Sequence, residues 1–172
     1  MEAKESIATG KKDAVSSQTD RVLVSFFVKQ NDEEFYERLH AFPMGDDLYC
    51  VDNSPFYAYG VSLGDVVFAP PTDGAPTYKH TVNRRGHSTY RVRLPVGQGH
   101  DIFLARWDKF QKLGCTFEGS GVSPSRLYSI DIPPFANVHD VYKLLEEGEM
   151  IGAWVFEEGN YCPEDQRESR DH

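Results

Sequence analysis

Two apolar spacings alternate along the second half of the chain, and their order restricts the fold more than any other feature of the sequence. The stretches Ser88–Leu94 and Leu127–Ile132 alternate their side chains with the period of a strand. Between these stretches, apolar residues recur at i, i+4 and i+7, which is one face of a helix, at Phe103, Trp107 and Phe110. This half of the chain is therefore predicted to contain both strands and helices.

A second helix and two further strands complete this pattern. Asn137 can cap a helix whose apolar residues share one face, and Gly148 is predicted to end that helix. Extended segments are expected at Cys115–Glu118 and at Ala153–Phe156. The resulting order, β-α-β-β-α-β, predicts a ferredoxin-like subdomain over residues 88–160, in which both helices cover one face of the sheet.

The preceding part of the chain, residues 21–87, contains several short strands separated by turns. Val22–Val28 is rich in β-branched and aromatic residues and is predicted to form a strand buried on both faces. Phe35–Phe42 fits a short helix or a strand, and a strand is favoured because Leu48–Val51 follows it at hairpin distance. This spacing predicts a curled sheet or small barrel, so the whole chain is expected to be an α+β protein that is β-rich at its N-terminal side.

The composition is typical of a globular chain with polar ends. The sequence has 172 residues, of which 40% are hydrophobic, and this is enough for one core or for two small subdomains. Residues 1–20 and 161–172 contain few large apolar side chains. They are predicted to form a flexible arm and a polar tail, because such segments bury too little surface to offset the entropy of ordering.

Charge, cysteine content and missing motifs disfavour several functional classes. The formal net charge of −9 disfavours a nucleic-acid binder, whose affinity comes from neutralising phosphates. The sequence lacks a long apolar run and a signal peptide, so no membrane association is expected. Three cysteines without CxxC or Cys/His spacing predict a cytoplasmic location and no local metal motif. Gly-rich phosphate-binding motifs are missing, and no cofactor is expected.

Two neighbouring turns carry a dense set of polar and aromatic side chains. An imidazole in such a turn can act as a general base near neutral pH, and an arginine beside it can hold an anion. The candidate ligand site at the junction of the two halves consists of Asp52, Tyr57, Tyr59, Asp65, Arg85 and His87. The alternative is that these residues only form tight turns, because Asp, Asn and Gly commonly serve the backbone there.

Carboxylates accumulate towards the C-terminal end of the chain. Several of them end the predicted second helix, where negative charge opposes the helix macrodipole and does not stabilise the helix. This arrangement predicts a surface for a basic protein partner, with an aromatic anchor, although a solvated face is the alternative. The predicted partner-binding residues are Glu146, Glu147, Glu149, Trp154, Glu157, Glu158 and Tyr161, with Trp154 or Tyr161 as the anchor.

Six segments, in order along residues 21–160, resemble one family. They are Leu48–Phe56, Tyr59–Val67, Arg85–Val92, Leu113–Cys115, Leu127–Pro134 and Gly152–Gly159. Together they resemble the bacterial domain-of-unknown-function family 4265, DUF4265. The resemblance implies no activity and transfers no catalytic residue.

Small bacterial domains of this kind often accompany toxins as immunity proteins. The chain is therefore expected to be a non-catalytic, protein-binding module that neutralises a cognate toxin through its acidic surface. A regulator that binds another protein without any toxin fits the same residues. The alternative from a different class is an enzyme or small-ligand domain with a polar site around His87, Asp52 and Asp65. The oligomeric state stays open.

Overall fold

A computed structural model describes residues 20–120 and 126–166 of the chain. Residues 1–19 of the predicted arm and residues 167–172 of the predicted tail lie outside the described residues. Within the described ranges, no helix combines the length and apolar content needed to span a bilayer. Two sheets and two helices make up most of the described chain, which confirms the predicted α+β class.

The first half forms a curled, antiparallel sheet of five strands with the order β1-β2-β3-β4-β7. Its strands are β1 (Val22–Gln30), β2 (Glu33–Gly45), β3 (Leu48–Val51), β4 (Val66–Phe68) and β7 (His80–Asn83). A short ribbon of β5 (Pro71–Thr72) and β6 (Ala75–Pro76) lies between β4 and β7 in the chain. The strand predicted at Phe35–Phe42 is confirmed as part of β2.

β1 is buried on one face only, so the prediction of a strand buried on both faces is wrong. Val24, Phe26 and Val28 lie in the first core, whereas Leu23 and Phe27 on the opposite face are exposed. The nearly continuous apolar sequence predicts burial of both faces because the side chains on the outward face are also large and apolar. Phe27 finds its partner across the strand pair, where its ring meets that of Tyr36 edge to face.

The second half has the ferredoxin-like order that the sequence predicts. Its antiparallel sheet runs β11-β8-β10-β9, with both helices contributing to the core on one face. Its elements are β8 (Ser88–Arg93), α1 (His100–Lys112), β9 (Thr116–Ser120), β10 (Leu127–Ile132), α2 (Val138–Met150) and β11 (Val155–Asn160). Aromatic rings dominate this core, and the rings of Phe103 and Tyr128 stack with centroids 3.9 Å apart.

Of the two ends predicted for the second helix, the start at Asn137 is confirmed and the end at Gly148 is not. Asn137 caps α2 by accepting hydrogen bonds from two backbone N–H groups, and Gly114 follows α1 with a positive φ of +94°. The predicted end of α2 at Gly148 is wrong, because the helix continues to Met150. Gly148 serves packing instead, since a Cβ there would lie 2.1 Å from the ring of Trp154.

The first half covers the other face of the ferredoxin-like sheet through polar contacts. Arg91 on β8 is 1% exposed and donates to the carbonyl oxygens of Ala58 and Pro55. Thr89, two residues earlier on the same face, shares a hydrogen bond of 2.8 Å with Ser62. The two halves therefore have separate apolar cores joined by a buried polar layer.

Candidate functional site

Three of the predicted partner-binding carboxylates lie together at the end of α2. Glu146, Glu147 and Glu149 are exposed, and α2 has no basic residue in its last turn. α1, in contrast, places Lys109 and Lys112 in its last turn, where positive charge is favourable. The acidic end of α2 is therefore a property of this helix alone.

Large apolar side chains are exposed beside these carboxylates. Met150 is 86% exposed and Ile151 is 66% exposed at the end of α2, and Val155 is exposed where β11 begins. Adjacent aliphatic side chains in water are unfavourable unless a partner covers them. We call this set the α2-end surface: Glu146, Glu147, Glu149, Met150, Ile151 and Val155.

Trp154 does not belong to this surface, and its predicted role as an exposed anchor is wrong. The side chain is 2% exposed, and its indole N–H donates to the carbonyl oxygen of Leu145 at 3.0 Å. The ring lies against Gly148 inside the second core. Of the two predicted anchors, only Tyr161 is accessible, at 36% exposure.

The two carboxylates of β11 accept hydrogen bonds from side chains, whereas Glu149 of α2 accepts one from the backbone N–H of Phe156. Glu157 accepts hydrogen bonds from Arg91 and from the Tyr59 hydroxyl, at 3.2 Å in each case. Glu158 accepts a hydrogen bond from the Tyr90 hydroxyl at 3.0 Å. Burial, together with the charge of Glu158, raises the pKa of Tyr90 above its ordinary value, so this hydroxyl stays a donor.

Tyr59 lies beside Glu157, apart from the polar turns with which the sequence groups it. The Arg91 guanidinium stands over its ring, 4.6 Å from the centroid, and the ring is half exposed. The loop that carries it is fixed by Glu37, whose carboxylate accepts hydrogen bonds from three successive backbone N–H groups, those of Phe56, Tyr57 and Ala58. Tyr57 packs its ring against Phe35 in the first core and also lies away from His87.

The polar turns place His87 against a residue that the sequence did not assign to this site. His87 Nδ1 lies 2.8 Å and 3.0 Å from the two carboxylate oxygens of Asp131 on β10. Asp131 is buried and His87 is partly exposed. A pairing across 44 positions has no local spacing, but a carboxylate in the middle of an otherwise apolar strand was the available signal.

Asp65 and Arg85 lie next to His87, and Asp52 has a different partner. Asp65 is buried and accepts backbone hydrogen bonds from Arg85 and Ser62, both at 3.0 Å. Burial raises the pKa of Asp65, and these two hydrogen bonds oppose the rise. The carboxylate of Asp52 forms an ion pair of 2.8 Å with Arg21.

His87, Asp131 and Asp65 bring an imidazole and two carboxylates close together, as general acid–base chemistry requires. Within the described ranges, no group of three or more His, Cys, Asp or Glu side chains is arranged to hold a metal ion. Four clefts are described, one of them between α1 and α2 and another near β11. His87 lines none of these four. The site that combines open surface with unbalanced charge is the α2-end surface.

Comparison with known proteins agrees with the sequence and the fold. A family model described as "Domain of unknown function (DUF4265)" matches residues 37–156 and confirms the resemblance. A crystal structure of a hypothetical protein from Neisseria gonorrhoeae is similar, with a TM-score of 0.70 and 17% sequence identity, over 84% of this chain and 97% of that chain. At this identity the similarity establishes the fold alone. None of the curated proteins matches the sequence.

Proposed function

This chain belongs to the DUF4265 family, whose description states no activity, and from that premise we propose that it is a non-catalytic protein-binding module. Its function is that of an immunity-type protein in the cytoplasm of a bacterium. It binds a basic protein partner, a cognate toxin, through the α2-end surface, and thereby blocks the toxin.

One observation carries this proposal: exposed carboxylates and exposed aliphatic side chains lie at the same end of α2. Glu146 and Glu149 stand in the last turns without a basic residue, and Met150 and Ile151 continue directly from them. Each feature is locally unfavourable, the first for the helix dipole and the second for solvation. Conflicts of this kind collect where a sequence serves binding.

The two kinds of side chain have different tasks in such an interface. Carboxylates steer a basic partner into encounter and raise the association rate, mainly at low salt. Desolvated apolar side chains hold the complex once it has formed, so they lower the dissociation rate. A toxin that acts on nucleic acid carries a basic cleft, and an acidic surface of this type can occupy it.

The test compares two variants of equal charge. In the first, Glu146→Gln, Glu147→Gln and Glu149→Gln neutralise the α2-end surface; in the control, Asp32→Asn, Glu33→Gln and Glu34→Gln neutralise three exposed acids at the β1–β2 turn. The partner is captured from the source cells with the tagged wild-type chain and purified, and its association rate is measured across a salt series.

The α2 variant is expected to associate about tenfold more slowly, with a flatter salt dependence, and to lose protection of toxin-expressing cells. The control is expected to behave like the wild type. Equal rates and equal protection in both variants would overturn the proposal, and so would a captured partner that is acidic.

A further inference from the structure

We propose that the cleft between α1 and α2 is the apolar binding pocket of this same interface, and that it receives one large aliphatic side chain from the basic partner. This inference rests on the proposed function for the identity of the partner. The cleft itself is a feature of the fold that lies next to the α2-end surface.

The cleft has the size and lining of a side-chain pocket. Its volume is about 280 Å³, and its apolar lining includes Phe110, Leu144 and Trp154. Ala105 on α1 and Ile151 after α2 line it on opposite sides. An apolar cavity of about 150 Å³ already holds a benzene molecule, so a leucine or isoleucine side chain fits without a rearrangement of the helices.

An ion pair that spans the cleft can exchange its cation for one from the basic partner. Lys109 and Glu147 both line the cleft and approach each other across it, with Nζ 3.7 Å from the carboxylate oxygen. Both side chains are exposed, and such surface pairs contribute almost nothing to stability, so the pair opens at little cost. A cation of the partner can then replace Lys109 as the neighbour of Glu147.

The remaining carboxylates of α2 reinforce this preference. Lys112 already pairs with Asp108 and Lys143 with Asp140, and Arg106, which also lines the cleft, donates to the carbonyl oxygen of Ile102. Within residues 20–120 and 126–166, Glu146 and Glu149 form no ion pair. α1 and α2 together carry six acidic and four basic side chains, so the helical layer has a surplus of negative charge, and a basic protein with a protruding aliphatic side chain complements this charge and the shape of the cleft.

The cleft can be tested without the partner by titration with two small probes. N-acetyl-leucinamide and N-acetyl-lysinamide are added to the 15N-labelled full chain, and the backbone amide shifts of Ala105, Gly148 and Ile151 are followed. The leucine probe is expected to shift these amides and to saturate at millimolar concentration, because a ligand of this size binds weakly. The lysine probe is expected to leave them nearly unmoved.

Two variants locate the effect. Ala105→Trp fills the cleft with no change of charge, and it is expected to abolish the shifts; Leu104→Trp places the same ring on the neighbouring exposed position outside the lining and is expected to retain them. Ile151→Ala shortens one side of the cleft and is expected to lower the affinity for the leucine probe. This variant provides a second test if Ala105→Trp does not fold. Absence of shifts in the wild type, or equal shifts with both probes, would overturn the proposal.

Kinetics with the purified partner separate this inference from the proposed function. Ala105→Trp is expected to raise the dissociation rate about 30-fold with an unchanged salt dependence, whereas the triple Gln variant lowers the association rate. If the Gln variant is impaired and Ala105→Trp binds like the wild type, the cleft proposal is wrong and the proposed function stands. If neither variant is impaired, the proposed function is wrong.

Discussion

At the scale of single residues, the buried charged side chains of the described residues, Asp65, Arg91 and Asp131, lie in or next to the contacts between the two halves. Asp131 points from β10 towards the β7–β8 turn and there meets His87. Asp65, which directly precedes β4, holds the same turn by accepting a hydrogen bond from the backbone N–H of Arg85. Each of these carboxylates connects a turn of the first half to a neighbouring segment, so their chemistry can be measured as stability.

Asp131→Asn is expected to lower the free energy of unfolding by about 1.5 kcal/mol, because the His87 ring loses a charged acceptor in a buried place. Urea unfolding of the variant measures this loss. The matched control is Asp73→Asn, at an exposed turn position with a φ of +52° that asparagine also adopts. A double-mutant cycle with His87→Gln should show that the two changes are not additive, and additive losses would exclude a direct interaction between these side chains.

Asp65 gives a pH dependence whose sign follows from its burial. Because folding raises the pKa of this carboxyl above its ordinary value of 3.8, the folded chain holds the proton more tightly than the unfolded chain. Its contribution to stability is therefore complete below 3.8 and is lost as the pH rises through the folded-state pKa.

The advantage of the wild type over Asp65→Asn should accordingly shrink as the pH rises from below 3.8. Urea unfolding of both proteins in a series of buffers measures this difference, in which the other titrating groups cancel. An advantage that grows with pH would show that the backbone N–H groups of Ser62 and Arg85 outweigh the cost of burial.

At the scale of the elements, α2 is shaped by what it packs against and not by helix propensity. A glycine near the end of an amphipathic pattern ordinarily marks the end of the helix, but Gly148 lies inside α2 because the Trp154 ring occupies the space of a side chain. The helix then ends at Met150 with Ile151 as its C-cap, and Gly152 adopts a φ of +72°.

Gly148→Ala is expected to destabilise the protein by about 1–3 kcal/mol through overpacking, although the same change in an exposed helix stabilises by about 1 kcal/mol. Thermal unfolding followed by tryptophan fluorescence measures the sign. Glu146→Ala, at an exposed position of the same helix, is the control and should change stability by no more than about 0.5 kcal/mol. A stabilised Gly148→Ala protein would show that the ring of Trp154 moves aside freely.

The order of the elements was predictable because it depends on local periodicity, and several contacts were not predictable because they join distant segments. β10 has the predicted bounds, Leu127–Ile132, since alternation and a following proline pair define it. The contacts of Trp154 and Asp131 were not predictable from the sequence. Whether an aromatic residue near a helix end is buried or exposed depends on the glycine that faces it, and Asp131 acquires a role only when folding brings His87 to it.

At the scale of the whole molecule, the question is whether the two cores fold as one unit. Each half has its own apolar cluster, and Arg91 joins them by hydrogen bonds to Ala58 and Pro55 of the first half and to Glu157 of the second, beside contacts such as that between Ser62 and Thr89. The buried guanidinium has partners in both halves, so it attaches the loop at residues 53–60 to the ferredoxin-like sheet. Removal of Arg91 takes from the buried carbonyl oxygen of Ala58 its guanidinium donor, whereas Pro55 keeps the Ser129 hydroxyl and Glu157 keeps the Tyr59 hydroxyl.

Arg91→Met is expected to cost about 1–3 kcal/mol, because the buried Ala58 carbonyl loses its donor, and to uncouple the two halves. Both tryptophans of the chain, Trp107 and Trp154, lie in the second core, so fluorescence reports that core, whereas far-UV circular dichroism reports both halves. In the wild type the two urea transitions should coincide, as in cooperative unfolding of one unit. In Arg91→Met the fluorescence transition should occur at higher urea than the dichroism transition, because the first core loses its attachment while the aromatic second core keeps its own contacts.

Arg38→Met, on the exposed face of β2, should leave the transitions coincident. If they stay coincident in Arg91→Met as well, the remaining contacts, such as that between Ser62 and Thr89, are sufficient to couple the halves.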